Sequence, residues 1–152
     1  MTFFYIPSDP PDLDNTIKSL YAVISGPVGQ ERDWKAFHEL FASDAKFWVA
    51  TKRNGKSVLV TMTPAEYEKR SGPFLKSEGF FEKELWRGTR IYGEMAQVWT
   101  AYESRLKSID AKPFERGINA ITLLKVDGKW KVVSLAWTSE SDAGPLPKKD
   151  TR

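Results

Sequence analysis

No cysteine occurs in the 152 residues, which removes a disulfide framework, thiol catalysis and any thiolate-bound metal together. Histidine is almost as scarce. With His38 alone, a zinc or iron site would need carboxylates plus one imidazole, a donor set that borderline metals rarely choose. A Ser-His-Asp triad would need the same residue, yet His38 falls in a short helical pattern with no nucleophile elbow beside it. No glycine-rich phosphate loop follows a strand pattern, so neither a metal nor an organic cofactor is expected. Long apolar runs are missing too: nothing approaches the ~18 residues that span a bilayer. Residues 1–12 begin with an apolar patch but carry no basic leader and no extended hydrophobic region. A secretory signal is therefore not expected, and the cytoplasm is the default location.

An excess of one charge is also lacking. The 23 basic residues are dispersed among 20 acidic ones for a net charge of +3, and phosphate binding depends on clustering rather than on the total. The densest basic stretches, Lys52-Arg53-Asn54-Gly55-Lys56 and Pro147-Lys148-Lys149, read as a turn and a tail. Neither nucleic acid nor membrane is an expected partner. What remains is ordinary globular composition, 41% apolar and 28% charged, at a length that buries roughly 70% of the unfolded chain's surface around one core.

The chain divides into an N-terminal arm (1–8), one domain (9–138) and a polar tail (139–152). Asp9-Pro10-Pro11-Asp12 supplies a cap, first-turn prolines and negative charge at the start of an amphipathic helix with Leu13, Ile17, Leu20, Tyr21 and Ile24 on one face. Gly26-Pro27 ends it. Trp34, Phe37, Leu40 and Phe41 predict a second, shorter helix. A hairpin follows, because Asn54-Gly55 suits a two-residue turn in which both positions need positive φ. With Arg53 opposite Lys56, the residues Phe47, Val49, Val58, Val60 and Met62 share an apolar face. Thr63-Pro64-Ala65-Glu66 is a capping box, so a third helix starts there and is expected to break near Gly72-Pro73. Beyond it the period changes to two. Residues 79–92, 95–106, 113–126 and 129–138 read as long strands joined by short turns, an antiparallel meander.

This order of helix, helix, hairpin, helix and long strands is similar to the nuclear transport factor 2-like superfamily. The segment Asp33-Trp34-Lys35-Ala36-Phe37-His38-Glu39-Leu40-Phe41-Ala42-Ser43-Asp44-Ala45-Lys46-Phe47 resembles that superfamily's helix-to-first-strand junction, and Phe114-Glu115-Arg116-Gly117-Ile118-Asn119-Ala120-Ile121 with Trp130-Lys131-Val132-Val133-Ser134-Leu135-Ala136-Trp137 resembles the final hairpin of SnoaL-like (polyketide cyclase and ketosteroid isomerase-like) bacterial proteins of unassigned role. The resemblance implies an α+β, cystatin-like fold: a cone-shaped curved antiparallel sheet wrapped around three N-terminal helices. One such scaffold carries enzymes, binding modules and adaptors, so function has to be argued from the site. The superfamily's proton-transfer enzymes place an Asp, or an Asp with His, inside the cone. No strand here shows an obvious interior Asp.

With Val126 opposite Lys129, the residues Asn119, Ile121, Leu123, Trp130, Val132, Ser134 and Ala136 are expected on the helix-covered face, and Ile118, Val133, Leu135 and Trp137 on the outer one. Asn119 is the polar residue of the inner set, either a structural clamp or a ligand-orienting group. Glu115 and Glu103 are the candidate interior bases, each with a solvated or ion-paired alternative. Tyr102, Tyr67 and Ser134 are further candidate ligand contacts. The readings that follow are a cone binding a small apolar or amphipathic ligand; a cofactor-free isomerase, cyclase or dehydratase using an interior carboxylate; and a non-catalytic dimeric association module. The apolar outer set, Ile118, Val133, Leu135 and Trp137, predicts a homodimer paired sheet against sheet.

Overall fold

Proline at the first helical position loses nothing, because the N–H it lacks would have had no partner there. The first helix, α1 (Pro11–Val23), begins in this way, with Asp12 and Asp14 in its first turn and Leu13, Ile17, Leu20 and Tyr21 buried. This computed structural model describes residues 8–149; the expected arm, apart from Ser8, and residues 150–152 of the tail lie outside the described residues. The Asp33 side chain accepts from the Ala36 backbone N–H at 2.9 Å and so starts α2 (Trp34–Glu39). Thr63 and Glu66 form the full capping box of α3 (Pro64–Glu78), with each side chain accepting from the other's backbone N–H, at 3.2 and 2.8 Å.

α3 does not break at Pro73, as expected, but carries it in its interior. Tertiary packing outweighs the one lost helical hydrogen bond. Gly72 lies against the Trp34 indole, where a side chain would press on the ring, and Leu75 beyond the proline is buried.

The strands are β1 (Phe41–Arg53), β2 (Lys56–Met62), β3 (Phe80–Tyr92), β4 (Met95–Leu106), β5 (Glu115–Val126) and β6 (Lys129–Ser139), in one sheet of order β2-β1-β6-β5-β4-β3. The β3 to β6 meander is antiparallel as expected, while β1 and β6 pair in parallel and join the hairpin to it. Both turns place their residues at positive φ, Asn54-Gly55 at 51° and 75° and Asp127-Gly128 at 49° and 74°. The registers Arg53 opposite Lys56 and Val126 opposite Lys129 follow from them. The result is an α+β domain, a curved, unclosed sheet with helices against its inner face. Leu13, Ile17, Phe37, Phe47, Val98, Leu123 and Val132 form its core.

Two one-residue register shifts bend this sheet. Leu85 is the extra residue in β3, between Glu84 opposite Tyr102 and Trp86 opposite Ala101. Val133 is the extra residue in β6, between Val132 opposite Leu123 and Ser134 opposite Thr122. Each shift reverses the alternation beyond it. The tail is not featureless either. It starts with a short helix, α4 (Glu140–Ala143), whose Glu140 receives two hydrogen bonds from the Arg116 guanidinium, at 2.8 and 2.7 Å.

No helix among the described residues is long and apolar enough to cross a membrane. One buried cation closes the helical layer. Arg32, 5% exposed, donates from Nε to Ile24 O (2.8 Å), from Nη1 to Gln30 O (2.6 Å) and from Nη2 to Gly26 O and Leu75 O (both 2.9 Å). It thereby ties the end of α1, the following loop and α3 together. Replacing it strands buried carbonyls, and each unsatisfied group costs about 1 to 3 kcal/mol. Arg32→Leu should therefore lower unfolding stability by about 3 kcal/mol or more, read as a fall in the urea midpoint.

Candidate functional site

Between the helices and the inner face of the sheet lies a cavity of about 220 Å³. Its walls are apolar: Leu20 and Ile24 from α1, Phe37 from α2, Phe41 and Phe47 from β1, Phe80 from β3, Ile121 from β5, and Leu135 and Trp137 from β6. The rings interlock edge to face, Phe37 with Phe47 at 6.3 Å and Phe47 with Trp137 at 6.0 Å between centroids. Tyr67 from α3 stacks on Phe37 at 5.6 Å and 17°. The polar lining is confined to Tyr21, Tyr67, Tyr102, Glu82, Ser104, Asn119 and Glu115. Phe114 and Glu115 also border a shallow surface depression with Lys112, Arg116 and Ser141, so the cavity opens to solvent on their side.

Glu82 is the centre of the polar part. Phe80, Glu82 and Glu84 alternate onto the inner face of β3, opposite Leu106, Ser104 and Tyr102. What surface Glu82 retains faces the cavity rather than bulk water. Its backbone N–H donates to Ser25 Oγ at 3.0 Å, which anchors the strand to the end of α1. Ser104 Oγ donates to its carboxylate at 3.3 Å, and Asn119 hydrogen-bonds it as well. Neither donor is charged. Burial therefore dominates and pushes the Glu82 carboxyl up to about 7, against the partial relief given by Ser104 and Asn119.

Glu84, two residues on, has the opposite surroundings. Arg87 grips it through Nε and Nη2, the latter at 2.7 Å from Oε1, and also meets Asp9 and Asp14 at 3.0 Å each. A hydrogen-bond chain joins the two acids' environments. Asn119 Nδ2 donates to the Tyr21 hydroxyl (3.2 Å), Tyr21 lies 2.8 Å from Thr100 Oγ1, and Thr100 donates to Glu84. With Thr100 donating onward and Tyr21 accepting from Asn119, Tyr21 must donate to Thr100. All protons in the chain then point toward the Arg87-bound carboxylate. Burial pushes the phenols of Tyr21, Tyr67 and Tyr102 above their ordinary value, so all three are neutral donors.

The sequence-derived candidates separate cleanly. Asn119, Tyr102, Tyr67 and Glu115 all line the cavity. Asn119 is both clamp and lining, because it holds Tyr21 while facing the cavity. Glu115 sits at the mouth and accepts from Ser141 Oγ at 2.9 Å. Tyr102 lies over Gly117, where any Cβ would collide with its hydroxyl.

Three expectations need correction. Glu103 is not interior: it is on the outer face, ion-paired to Arg105 at 2.5 Å, because the inner set of β4 is Ala96, Val98, Thr100, Tyr102 and Ser104. Ser134 belongs to the outer face and does not line the cavity, because the register shift at Val133 flips every later residue of β6. For the same reason Leu135 and Trp137 line the cavity instead of forming an outer patch with Ile118 and Val133. Ile118 is already buried, at 7% exposure, and Val133 sits in the shift itself, half-buried. Glu82 was missed altogether. Both faces of 80–85 carry charge, Glu82 and Glu84 on one and Lys83 on the other, so alternation alone does not say which face is inside. Among the described residues no group of three or more His, Cys, Asp or Glu is placed to hold a metal ion.

No family model matches the chain, and no curated protein matches it. Solved structures do. A protein of unknown function with a cystatin-like fold from Nostoc punctiforme superposes with a TM-score of 0.64 at 12% identity, over 90% of this chain and 92% of that one. An NTF2-like protein from Cytophaga hutchinsonii gives 0.63 at 16% identity, over 84% and 94%. A proposed ketosteroid isomerase from Shewanella frigidimarina gives 0.52 at 17% identity, over 81% and 91%. The chain thus has the cystatin-like, nuclear transport factor 2-like fold, and at these identities the likeness is one of fold.

The unpaired carboxyl has a measurable signature. Its folded-state value near 7 lies above the ordinary 4.5, so the folded protein binds the extra proton more tightly than the unfolded chain does. The penalty is absent below pH 4.5, grows as pH rises toward 7 and is complete above it. Glu82→Gln, which removes the charge and keeps the shape, should leave stability nearly unchanged at pH 4.5 and raise it by about 3 kcal/mol at pH 8. Urea unfolding of both proteins across that range checks the sign; a variant less stable than wild type at pH 8 contradicts this account of the site.

Proposed function

We propose that the cavity binds a small, largely apolar ligand whose one polar group meets Glu82. The observation that carries this reading is the enclosure of a carboxyl among aromatic side chains with no cation to neutralise it. Buried acids in a purely structural role are paired, as Glu84 is, because an unpaired one lowers stability without return. A mostly apolar hollow with a few convergent polar groups is also the usual form of a small-molecule site. Its size bounds the ligand. A cavity of 150 Å³ is known to accept benzene, so about 220 Å³ accommodates one ring plus a short substituent, and a four-ring skeleton does not fit within it.

A second reading is favoured by one specific property. A carboxyl that titrates near 7 is half ionised at neutral pH, the condition in which it can both take and return a proton. With Asn119 and the neutral Tyr102 phenol close to it as donors, the site has the parts for cofactor-free proton abstraction beside a carbonyl, the isomerase, cyclase or dehydratase class of chemistry. The test needs no knowledge of the natural substrate. Acetophenone and small cyclic ketones, incubated with the protein in D2O, should exchange their α-protons at a rate that rises through about pH 7, persists with a chelator present and disappears in Glu82→Gln. Ring alcohols and ketones that shift the melting temperature without exchange would leave binding alone. If the melting temperature responds neither to these nor to ring amines of the same size, the binding reading fails.

We also propose a two-fold association through the outer face of the sheet, with residues that differ from the expected set. Trp99 is 50% exposed across from Gly88 and Ala120, and Met95 faces Leu124 on the neighbouring strand, both largely open. A homodimer would let each copy cover this patch with its own. Trp99→Glu should convert a dimer of wild type to monomer in multi-angle light scattering; a monomeric wild type at tens of micromolar concentration removes the proposal.

A further inference from the structure

The lining of the cavity is one-sided in charge. Two carboxylates face it, Glu82 in its depth and Glu115 at its mouth, and among the described residues no lysine, arginine or histidine does. Lys112 borders the depression outside the mouth, and three other nearby cations are committed elsewhere. Arg32 lies behind Tyr67 with its guanidinium donating to main-chain carbonyls, Arg87 is held by Glu84, Asp9 and Asp14, and Arg116 outside the mouth is held by Glu140. Inside the mouth, a ligand moving from Glu115 toward Glu82 therefore meets acidic side chains and no basic one, and the low-dielectric walls strengthen their effect. The remaining surroundings of Glu82 are the hydroxyls of Tyr21, Tyr67, Tyr102 and Ser104 and the Asn119 amide, all neutral. Aromatic faces complete the lining, and a π face attracts a cation and repels an anion.

From this arrangement we infer that the ligand is a small hydrophobic amine, bound as its ammonium ion against Glu82, with its ring packed on Phe37, Phe47 and Trp137. The inference rests on the binding reading above and specifies its chemistry. The ammonium supplies the partner that the protein withholds from Glu82, its N–H groups donate to the carboxylate, and the surrounding rings stabilise what charge remains. A carboxylate ligand would bring a third acidic group into a space already lined by two. A neutral alcohol or ketone can bind, but it leaves Glu82 without a counter-charge.

Binding of this kind has a proton balance. Where Glu82 is protonated in the empty protein, the arriving ammonium displaces that proton to solvent and leaves a carboxylate–ammonium pair. Amines of this class stay protonated well above neutrality, so the affinity follows the ionisation of Glu82. With that group titrating at about 7, affinity should fall about thirtyfold between pH 8 and pH 5.5. A neutral ligand that accepts a hydrogen bond from the protonated carboxyl shows the reverse trend or none.

The experiment is isothermal titration calorimetry of the full chain with three probes that match in size and differ in charge: 2-phenylethylamine, 2-phenylethanol and 3-phenylpropanoate. The amine should bind most tightly, with the pH dependence just given and proton release near neutrality, while the carboxylate should not bind. Glu82→Gln should weaken the amine about thirtyfold or more and the alcohol by far less, with its thermal melt confirming that it is folded. Leu135→Trp, which fills the cavity from a position away from the acid, should abolish binding of amine and alcohol alike. Several results overturn the inference. If the alcohol or the carboxylate binds as tightly as the amine, or if Glu82→Gln leaves the amine affinity intact, the charge assignment falls while the binding site stands. If neither amine nor alcohol binds, the binding reading falls and takes the inference with it.

Discussion

A sheet that wraps around helices has to bend, and in this chain the strand pairing is interrupted at Leu85 in β3, at Val133 in β6 and between Phe41 and Lys46 of β1, the first two by one extra residue each. Everything chemical about the cavity depends on those two. Without the extra residue in β3, positions 84 and 87 would face opposite sides of the sheet; with it they share the inner side, and Arg87 can grip Glu84. Without the one in β6, Ser134 and Ala136 would point inward, and the hollow would be lined by small side chains in place of Leu135 and Trp137. A single residue of register, at each of two places, thus decides which acid is neutralised and how tightly the cavity is walled.

The same dependence explains what could be read from the sequence. Local signals held wherever the physics was local. The capping box at Thr63 and Glu66 and the Asn54-Gly55 and Asp127-Gly128 turns each depend on residues a few positions apart, and each stands as expected. The inner placement of Asn119, Ile121 and Leu123 followed from the turn register, because no shift intervenes in β5 between Val126 and those residues. Three features are set by distant partners and left no local mark. The parallel pairing of β1 with β6 joins segments far apart in sequence, α3 continues through Pro73 because Trp34 and Arg32 hold it, and Val133 looks like any β-branched strand residue. Extrapolating simple alternation past Val133 misplaced Ser134, Leu135 and Trp137, and missing Glu82 had a similar origin.

Glu82 and Glu84 show how far environment, rather than residue type, sets the behaviour of an acid. They lie two residues apart on the same side of one strand. One is gripped by a guanidinium that also reaches two aspartates; the other has a serine and an amide. The chain through Asn119, Tyr21 and Thr100 connects their surroundings without sharing charge between them, since every proton in it is already donated toward Glu84. Asn119 is therefore held in place by the Tyr21 hydroxyl. Its remaining hydrogen-bonding capacity is turned toward Glu82 and the hollow, which is how a rigid scaffold keeps a binding group in one orientation.

Retaining an unpaired acid in such a place works against folding. The domain already has the means to neutralise one, since Arg87 does so for Glu84, two residues further along the same strand. Glutamine would keep the shape of position 82 without the charge penalty. Purely structural demands would therefore favour a neutral side chain or a nearby cation, and the fold supplies neither. Natural proteins accept local instability of this kind chiefly where a group must meet something that arrives from outside. Glu82 is enclosed by aromatic walls, reached past a second carboxyl group and held by neutral donors alone, and this lack of an internal counter-charge is the physical argument that supports the proposal of a binding site over a packing defect.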